Sequence, residues 1–426
     1  MSFRNVALII LVGTLAGVIA IMPSTSMAND TDRTRGGFQF TPLPDSAVCT
    51  PEGNVSQPFV LPTGFTQTLI ASEPDFPDVP DQNTVNETGP DSGRFLYRVH
   101  RTDNNGAVSV TDLRTGETNI LAQREDWDEL DGIVWTPWRT ILVAEETLEG
   151  ETPDPDFPDA ESGLIYELDP HTGEATVLPA LGARPHEGIR FDRFGNIYGV
   201  SAEQNPGYIY KFTPDRRGNL SEGQLFALKI VHDAGEQTGL ARWIPLDRDT
   251  VKINSDAAAR AAGATGYGSP EDVETAVSTG RDGSGGRILY VSLSDEDRVL
   301  AINLRNGRDV AIVSNYVKEG VNAPEDFDNP DNLALDRAGN LYINEDIGGS
   351  FEEGKRAGDD IWVAPPARGT GNPAGNLQRF ASLTACNAEG SGAYFSRTGD
   401  ALYVNIQRGE DEPDLAIAIG EGNPYP

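Results

Sequence analysis

Six short motifs place carboxylates at the ends of β-type segments: Val143-Ala144-Glu145-Glu146, Pro185-His186-Glu187-Gly188, Ser269-Pro270-Glu271-Asp272, Asn329-Pro330-Asp331-Asn332, Asn344-Glu345-Asp346 and Asn387-Ala388-Glu389-Gly390. Carboxylates that converge from several strands repel one another, and they take up protons unless cations sit among them. The pattern therefore predicts a polynuclear metal centre with oxygen ligands. No cysteine or histidine cluster accompanies it, and an all-oxygen donor set suits calcium, which takes six to eight such ligands. Glu145 and Glu146 are adjacent, so on a strand they face opposite ways, which leaves one of them a structural role. His186 is a candidate to orient a ligand or protonate a leaving alcohol, or else a histidine hydrogen-bonded beneath its loop. Arg184 and Arg139 lie beside acidic motifs and are candidates either to grip phosphate or to pair with those carboxylates.

Bringing such distant motifs together needs a repeating framework, and one is visible. Gly188–Tyr198 (GIRFDRFGNIY) is echoed by Asn332–Tyr342 (NLALDRAGNLY) and more loosely by Gly392–Leu402 (GAYFSRTGDAL). Each reads as a β-hairpin with a tight Gly/Asn or Gly/Asp turn. Further strands follow at Gly207–Phe212 and Asp360–Val363, with pairs at Leu164–Leu168/Ala175–Leu178 and Ile288–Val291/Val299–Ile302. Four short strands per unit, repeated about five to seven times, predict an all-β chain folded as a β-propeller of about six blades, whose loops meet over one axis. The segment at about 215–286 breaks the pattern and is expected to be a small helical insertion over the axial face. Its helix candidates are Ser255–Ala262, capped by Ser255, and Ser269–Ala276, with Pro270 at its first position. The acidic, Pro-rich loops 72–91 and 146–161 are either weak calcium loops or solvated linkers.

The organisation expected is a signal peptide over 1–28, an N-terminal extension over 29–60 and a single propeller domain over 61–426. Arg4, the apolar run Val6–Ile21 and Ser26-Met27-Ala28 form an export signal with cleavage near Ala28, or a retained anchor; no other segment could cross a bilayer. The periplasm or the exterior is thus the expected location. The formal charge of −33 argues against nucleic acid or an anionic membrane as partner. Cys49 and Cys386 are either two buried thiols or a disulfide closing nearly the whole domain, for which the chain-entropy model allows roughly 5 kcal/mol.

Taken together, Trp135–Glu146, Pro185-His186-Glu187, Ile209–Pro214, Pro270-Glu271-Asp272, Pro330–Leu333 and Glu389–Gln407 resemble, in the same order, the PhoX-type alkaline phosphatases. These are exported calcium-dependent β-propeller enzymes with a mixed iron and calcium centre. The resemblance implies that Glu145, Glu146, Glu187, Glu271 and Glu389 are metal ligands, with Glu203, Asp331, Asn332 and Asp346 as further calcium ligands. Three departures stand out. Ala144 occupies the place of the family's iron-ligating cysteine, Ser269 replaces a basic residue, and the signal lacks twin arginines. The last implies folding and metal uptake after export, where calcium is favoured over iron.

The function expected is hydrolysis of a small phosphomonoester by a monomer that binds several calcium ions, with iron as the family's second metal. Glu187, His186 and Arg184 are its catalytic candidates. The alternatives are a calcium-dependent lactonase or esterase, and a non-catalytic calcium-stabilised propeller. Neither a Gly-x-Ser-x-Gly elbow, a zinc motif nor a nucleotide fingerprint is present.

Overall fold

Turn chemistry fixes the hairpins. In Asp192–Asn196 the Asp192 Oδ1 accepts from the amides of Phe194 (2.8 Å) and Asn196 (2.9 Å), while Gly195 takes φ 87°. Asp336 repeats this with Ala338 (2.8 Å) and Asn340 (2.9 Å), and Gly339 takes φ 85°. Only glycine adopts that conformation without strain, so each turn is anchored at both ends.

A computed structural model describes residues 37–50, 53–148, 154–202, 206–275, 287–304, 309–347, 359–366, 373–386, 388–408, 412–422 and 424. The hairpins extend into four-stranded antiparallel blades. Their inner strands are Pro80–Val85, Leu130–Trp135, His186–Phe191, Pro270–Thr275, Pro330–Leu335 and Ala388–Phe395, which number blades 1 to 6. Each inner strand packs on the next and the sixth on the first, closing a ring about one axis. Blades 3 and 4 form one nine-stranded sheet, because Thr238–Pro245 pairs both with Asn219–Gly235, the outer strand of blade 3, and with Val310–Lys318, the outer strand of blade 4. The N-terminal strand Phe65–Ser72 completes blade 6 by pairing with Leu415–Glu421, so the two ends of the chain close the ring together.

Between blades the faces are apolar. Phe38, Phe65, Tyr342, Phe380 and Phe395 stack between blades 5 and 6, so the described part of the N-terminal extension belongs to this core. Near the axis, side chains stitch neighbouring inner strands: Asp272 Oδ2 accepts from Leu333 N (2.9 Å), and Asn83 Nδ2 donates to Gly392 O (2.7 Å).

Among the described residues of 215–286 there is one α-helix, Ser255–Ala262. Its cap is Asn254, whose side chain accepts from Ala257 N (2.8 Å), and not Ser255, which lies inside the helix. Ser255 N donates to Ala183 O (2.8 Å), placing the helix at the same end of blade 3 as Glu187. The helix expected at Ser269–Ala276 is instead the inner strand Pro270–Thr275. Ser269 takes φ 36° rather than a capping conformation, and Pro270 opens a strand, a position proline tolerates as well as the first turn of a helix.

Cys49 and Cys386 form a disulfide, with Cα atoms 5.0 Å apart. Among the described residues no helix is long and apolar enough to cross a membrane. The expected signal segment 1–28, Glu203 and Asn387 lie outside the described residues.

Candidate metal centre

The second residue of every inner strand is acidic: Asp81, Asp131, Glu187, Glu271, Asp331 and Glu389. One backbone device recurs around the ring. In blades 1, 2, 4 and 5 the residue before the strand takes a positive φ (Val79 50°, Glu129 48°, Ser269 36°, Asn329 39°). In blades 1 to 5 a β-bulge then interrupts the register between the first and fourth strand residues. Such bulges re-aim side chains, and strained conformations of this kind concentrate at functional sites. Glycine follows the acid where neighbouring strands crowd. A Cβ on Gly132 would sit 2.4 Å from Glu187 O, and one on Gly188 would sit 1.7 Å from Asp272 Oδ1.

A second layer comes from the residue after the second strand in blades 1 to 5, whose amide bonds back to the carbonyl just ahead of the inner strand. This position is Arg101 (to Val79 O, 2.8 Å), Glu146 (to Glu129 O, 2.9 Å), Ala202 (to Pro185 O, 3.1 Å), Ser294 (to Ser269 O, 3.0 Å) and Asp346 (to Asn329 O, 3.0 Å). Two more carboxylates, a hydroxyl and a guanidinium are thereby added to the ring. Ligand oxygens of Asp131, Glu146 and Glu187 lie within 4.8 Å of one another.

These groups are buried or half-buried, and crowded. Burial, then the mutual repulsion of the carboxylates, lifts Glu187, Asp331 and Glu389 well above the ordinary carboxylate range. For Asp131 the burial is reinforced by Asp81 and Glu146. Asp81 is pushed to about 6, Glu271 to about 7 and Glu146 to about 8, in each case chiefly by burial. Arg101 opposes the rise: its guanidinium pairs with Glu146 (Nη2 to Oε2, 2.5 Å) and acts on Asp81, Asp131 and Glu187. Neutral donors hold individual oxygens. Gln407 Nε2 donates to Asp81 Oδ2 (3.1 Å), Gln82 Nε2 to Asp131 Oδ1 (2.9 Å), and the Ser294 hydroxyl to Glu271.

The structure thus brings together Glu146, Glu187, Glu271, Asp331, Asp346 and Glu389, and it adds Asp81, Asp131 and Arg101. It separates the others. Glu145 points away from the axis, its two oxygens accepting from the amides of Asp128 (3.2 Å) and Leu164 (3.0 Å); Glu345 does the same in blade 5. Asn332 is spent on its neighbours, donating to Asp331 and accepting from Gly392 N. His186 lies inside blade 3, donating from Nε2 to Gly182 O (2.9 Å), and burial beside Arg184 keeps the ring neutral. Arg184 donates to the carbonyls of Val200 (3.1 Å) and Leu181 (2.9 Å) and stacks on Tyr210, so neither residue faces the ring. Alternation along the strand explains this: the residues flanking Glu187 point where it does not. Arg139 sits in the turn at the far end of blade 2, against Gly89. Residues of the two acidic loops join the clusters Glu73/Asp78/Asp414 and Asp126/Asp154/Asp156, which are tied to internal donors such as Val79 N and Arg124.

An all-carboxylate ring that is forced toward protonation fits divalent cations with hard ligands. Gln82 Oε1 is buried without a hydrogen-bond partner next to Asp131, a further oxygen of the same kind. Ala144 is fully buried beside Gly132 and offers no donor there. The donor set therefore suits hard divalent cations, and it contains neither cysteine nor histidine.

A family model described as alkaline phosphatase PhoX matches residues 131–410. No curated protein sequence matches the chain significantly. Among solved structures, that of Pseudomonas fluorescens PhoX in complex with vanadate, a transition state analogue, aligns with TM-score 0.67 at 16% identity, covering 89% of this chain and 99% of that one. A gluconolactonase from Xanthomonas campestris aligns with TM-score 0.49 at 12% identity, covering 91% and 99%. A virginiamycin B lyase from Staphylococcus aureus aligns with TM-score 0.45 at 12% identity, covering 84% and 99%. With about two thirds of its length matched by the family model, the chain belongs to the PhoX alkaline phosphatase family and is a phosphatase-type hydrolase.

Proposed function

We propose that the ring holds several divalent cations, calcium foremost, and that the chain hydrolyses small phosphomonoesters after export. The observation that carries this reading is that all six blades deliver one carboxylate to the axis, buried or half-buried, each pushed toward protonation. Asp131, Glu146 and Glu187 would hold one ion; Asp81, Glu271, Asp331, Asp346 and Glu389 would hold others. Bound there, the ions supply Lewis-acid polarisation of phosphoryl oxygens and an acidified water.

The chain's own groups do the rest. Gln82, Gln407 and Ser294 fix the carboxylates through hydrogen bonds, as outer partners of metal ligands do. Arg101 grips the phosphoryl oxygens through its planar fork and offsets charge that builds during transfer. It takes over the task left by Ser269, where the family carries a basic residue. The Cys49–Cys386 bridge supports an oxidising compartment, in keeping with the export signal expected ahead of Ala28.

The test is metal content by mass spectrometry on protein purified without chelator, with calcium-supplemented hydrolysis of p-nitrophenyl phosphate and of a lactone. Several calcium ions per chain, with phosphate release lost in Glu187→Gln, are expected. Metal-free protein of unchanged stability would overturn the reading. Calcium without turnover would make the chain a binding propeller, and lactone turnover alone would move it to another ester class.

A further inference from the structure

The repeated hairpin turns carry a second pattern that the metal ring does not use. Arg193, Arg337 and Arg397 stand at the same place in the three echoed motifs, directly after the capping Asp192, Asp336 or Ser396. These turns lie at the exit ends of the inner strands, opposite the carboxylates. Four residues separate Glu187 from Phe191, so at about 3.3 Å per residue the two ends are roughly 13 Å apart. A cavity of about 490 Å³ opens there, lined by the exit ends of all six inner strands. That volume is typical of small-molecule sites. Its apolar part includes Trp135, Phe191 and Phe395, all nearly buried.

The lining is cationic in a chain of formal charge −33: Arg190, Arg193, Arg217, Arg337 and Arg397 against Glu87, Asp192 and Glu274. The three acids are already engaged. Arg190 pairs with Glu274 (3.3 Å), Asp192 caps its own turn, and Glu87 accepts from the Tyr394 hydroxyl (2.7 Å) while the charges of Arg397 and Arg337 act on it, so five arginines against three acids leave the lining a net excess of positive charge. The remaining arginines form the rim, where Arg337 donates to the carbonyl of Arg397. Within a field that repels anions, this rim attracts them.

We propose that this mouth is a binding site for a small amphipathic organic anion, with an aryl or alkyl body on the aromatic floor and its acidic group held by Arg193, Arg337 and Arg397. The test is a fluorescence titration of the full chain with 1-anilinonaphthalene-8-sulfonate, reading energy transfer from tryptophan. One saturable site is expected, weakened by salt and weakened at least tenfold when all three arginines become glutamine. The triple lysine variant, which keeps the charge, should retain binding and so controls for misfolding. Binding should also persist in chelator and in Glu187→Gln. The proposal is overturned if the glutamine variant binds within twofold of wild type, if uncharged N-phenyl-1-naphthylamine binds as tightly, or if Glu187→Gln abolishes binding.

Discussion

Stripping divalent cations from this protein should make its thermal stability fall as the pH is raised from about 5 to about 8. Without cations the folded ring keeps protons that the unfolded chain releases near ordinary carboxylate values. The folded state therefore binds more protons across this window, and its stability declines with rising pH. The penalty is absent below the unfolded values, grows through the window and levels off above the folded ones. For Glu271 alone, moved from 4.5 to about 7, the ionisation penalty is about 3 kcal/mol at about 1.4 kcal/mol per pH unit. Calcium should reverse the trend, because each ion at a thousandfold excess over its Kd contributes about 4 kcal/mol and protons compete with it. Differential scanning calorimetry across this range, in calcium and in chelator, reads the difference directly. Glu145, off the ring but pushed up to about 8 by burial, adds a fall of about 4–5 kcal/mol by the same arithmetic to both forms, so the difference between the calcium and chelator curves carries the test. Superimposable curves would refute the claim that the carboxylates are a cation site.

Glu145→Gln separates the clamp from the ligands: below about pH 5, where Glu145 keeps its proton in the folded state, it should lower stability by about 1–3 kcal/mol through weakened bonds to Asp128 N and Leu164 N, and the loss should shrink as the pH rises because the amide cannot ionise, while calcium content and turnover per folded molecule stay unchanged. Arg101→Ala should raise KM for a phosphomonoester on the order of tenfold or more with calcium content preserved, and Arg101→Lys should restore only part of it, as a point charge lacks the bidentate fork. Serine at both Cys49 and Cys386 should lower unfolding stability by up to roughly 5 kcal/mol, measured in denaturant, and dithiothreitol should then have no further effect on the variant.

The parts of this fold that were legible in the sequence are those governed by local chemistry. The turns at Asp192–Asn196 and Asp336–Asn340 announce themselves because their caps and glycines lie within five residues, and the hairpins around them follow by alternation. The echoed turns mark blades 3, 5 and 6; the inner strand of blade 4 reads instead as a helix at Ser269–Ala276, and blade 1 escapes notice because its strands lack the echoed turn. Asp81 and Asp131 were missed with it, although Pro80-Asp81 matches Pro330-Asp331 and Leu130-Asp131-Gly132 matches Ala388-Glu389-Gly390. Spacing would have found them: outside the segment 215–286, successive ring acids are separated by 50 to 60 residues.

What the sequence could not display is which way a side chain points where a bulge interrupts the strand. His186 and Arg184 were drawn to Glu187 by adjacency, yet adjacency on a strand means opposite faces, and the bulge after His186 leaves only Glu187 on the axis. Arg101 belongs to no acidic motif at all. Its equivalence to Glu146 and Asp346 lies in a single backbone bond, from its amide to Val79 O, which only the folded ring reveals. The chemistry of this propeller therefore follows position within the blade: the second residue of the inner strand and the residue after the second strand build one mouth, and the residue after the turn's cap builds the other. A variant that exchanged Glu146 and Arg101 would keep composition and net charge but bring a guanidinium between Asp131 and Glu187, and it should lose the cation proposed for those two carboxylates and Glu146.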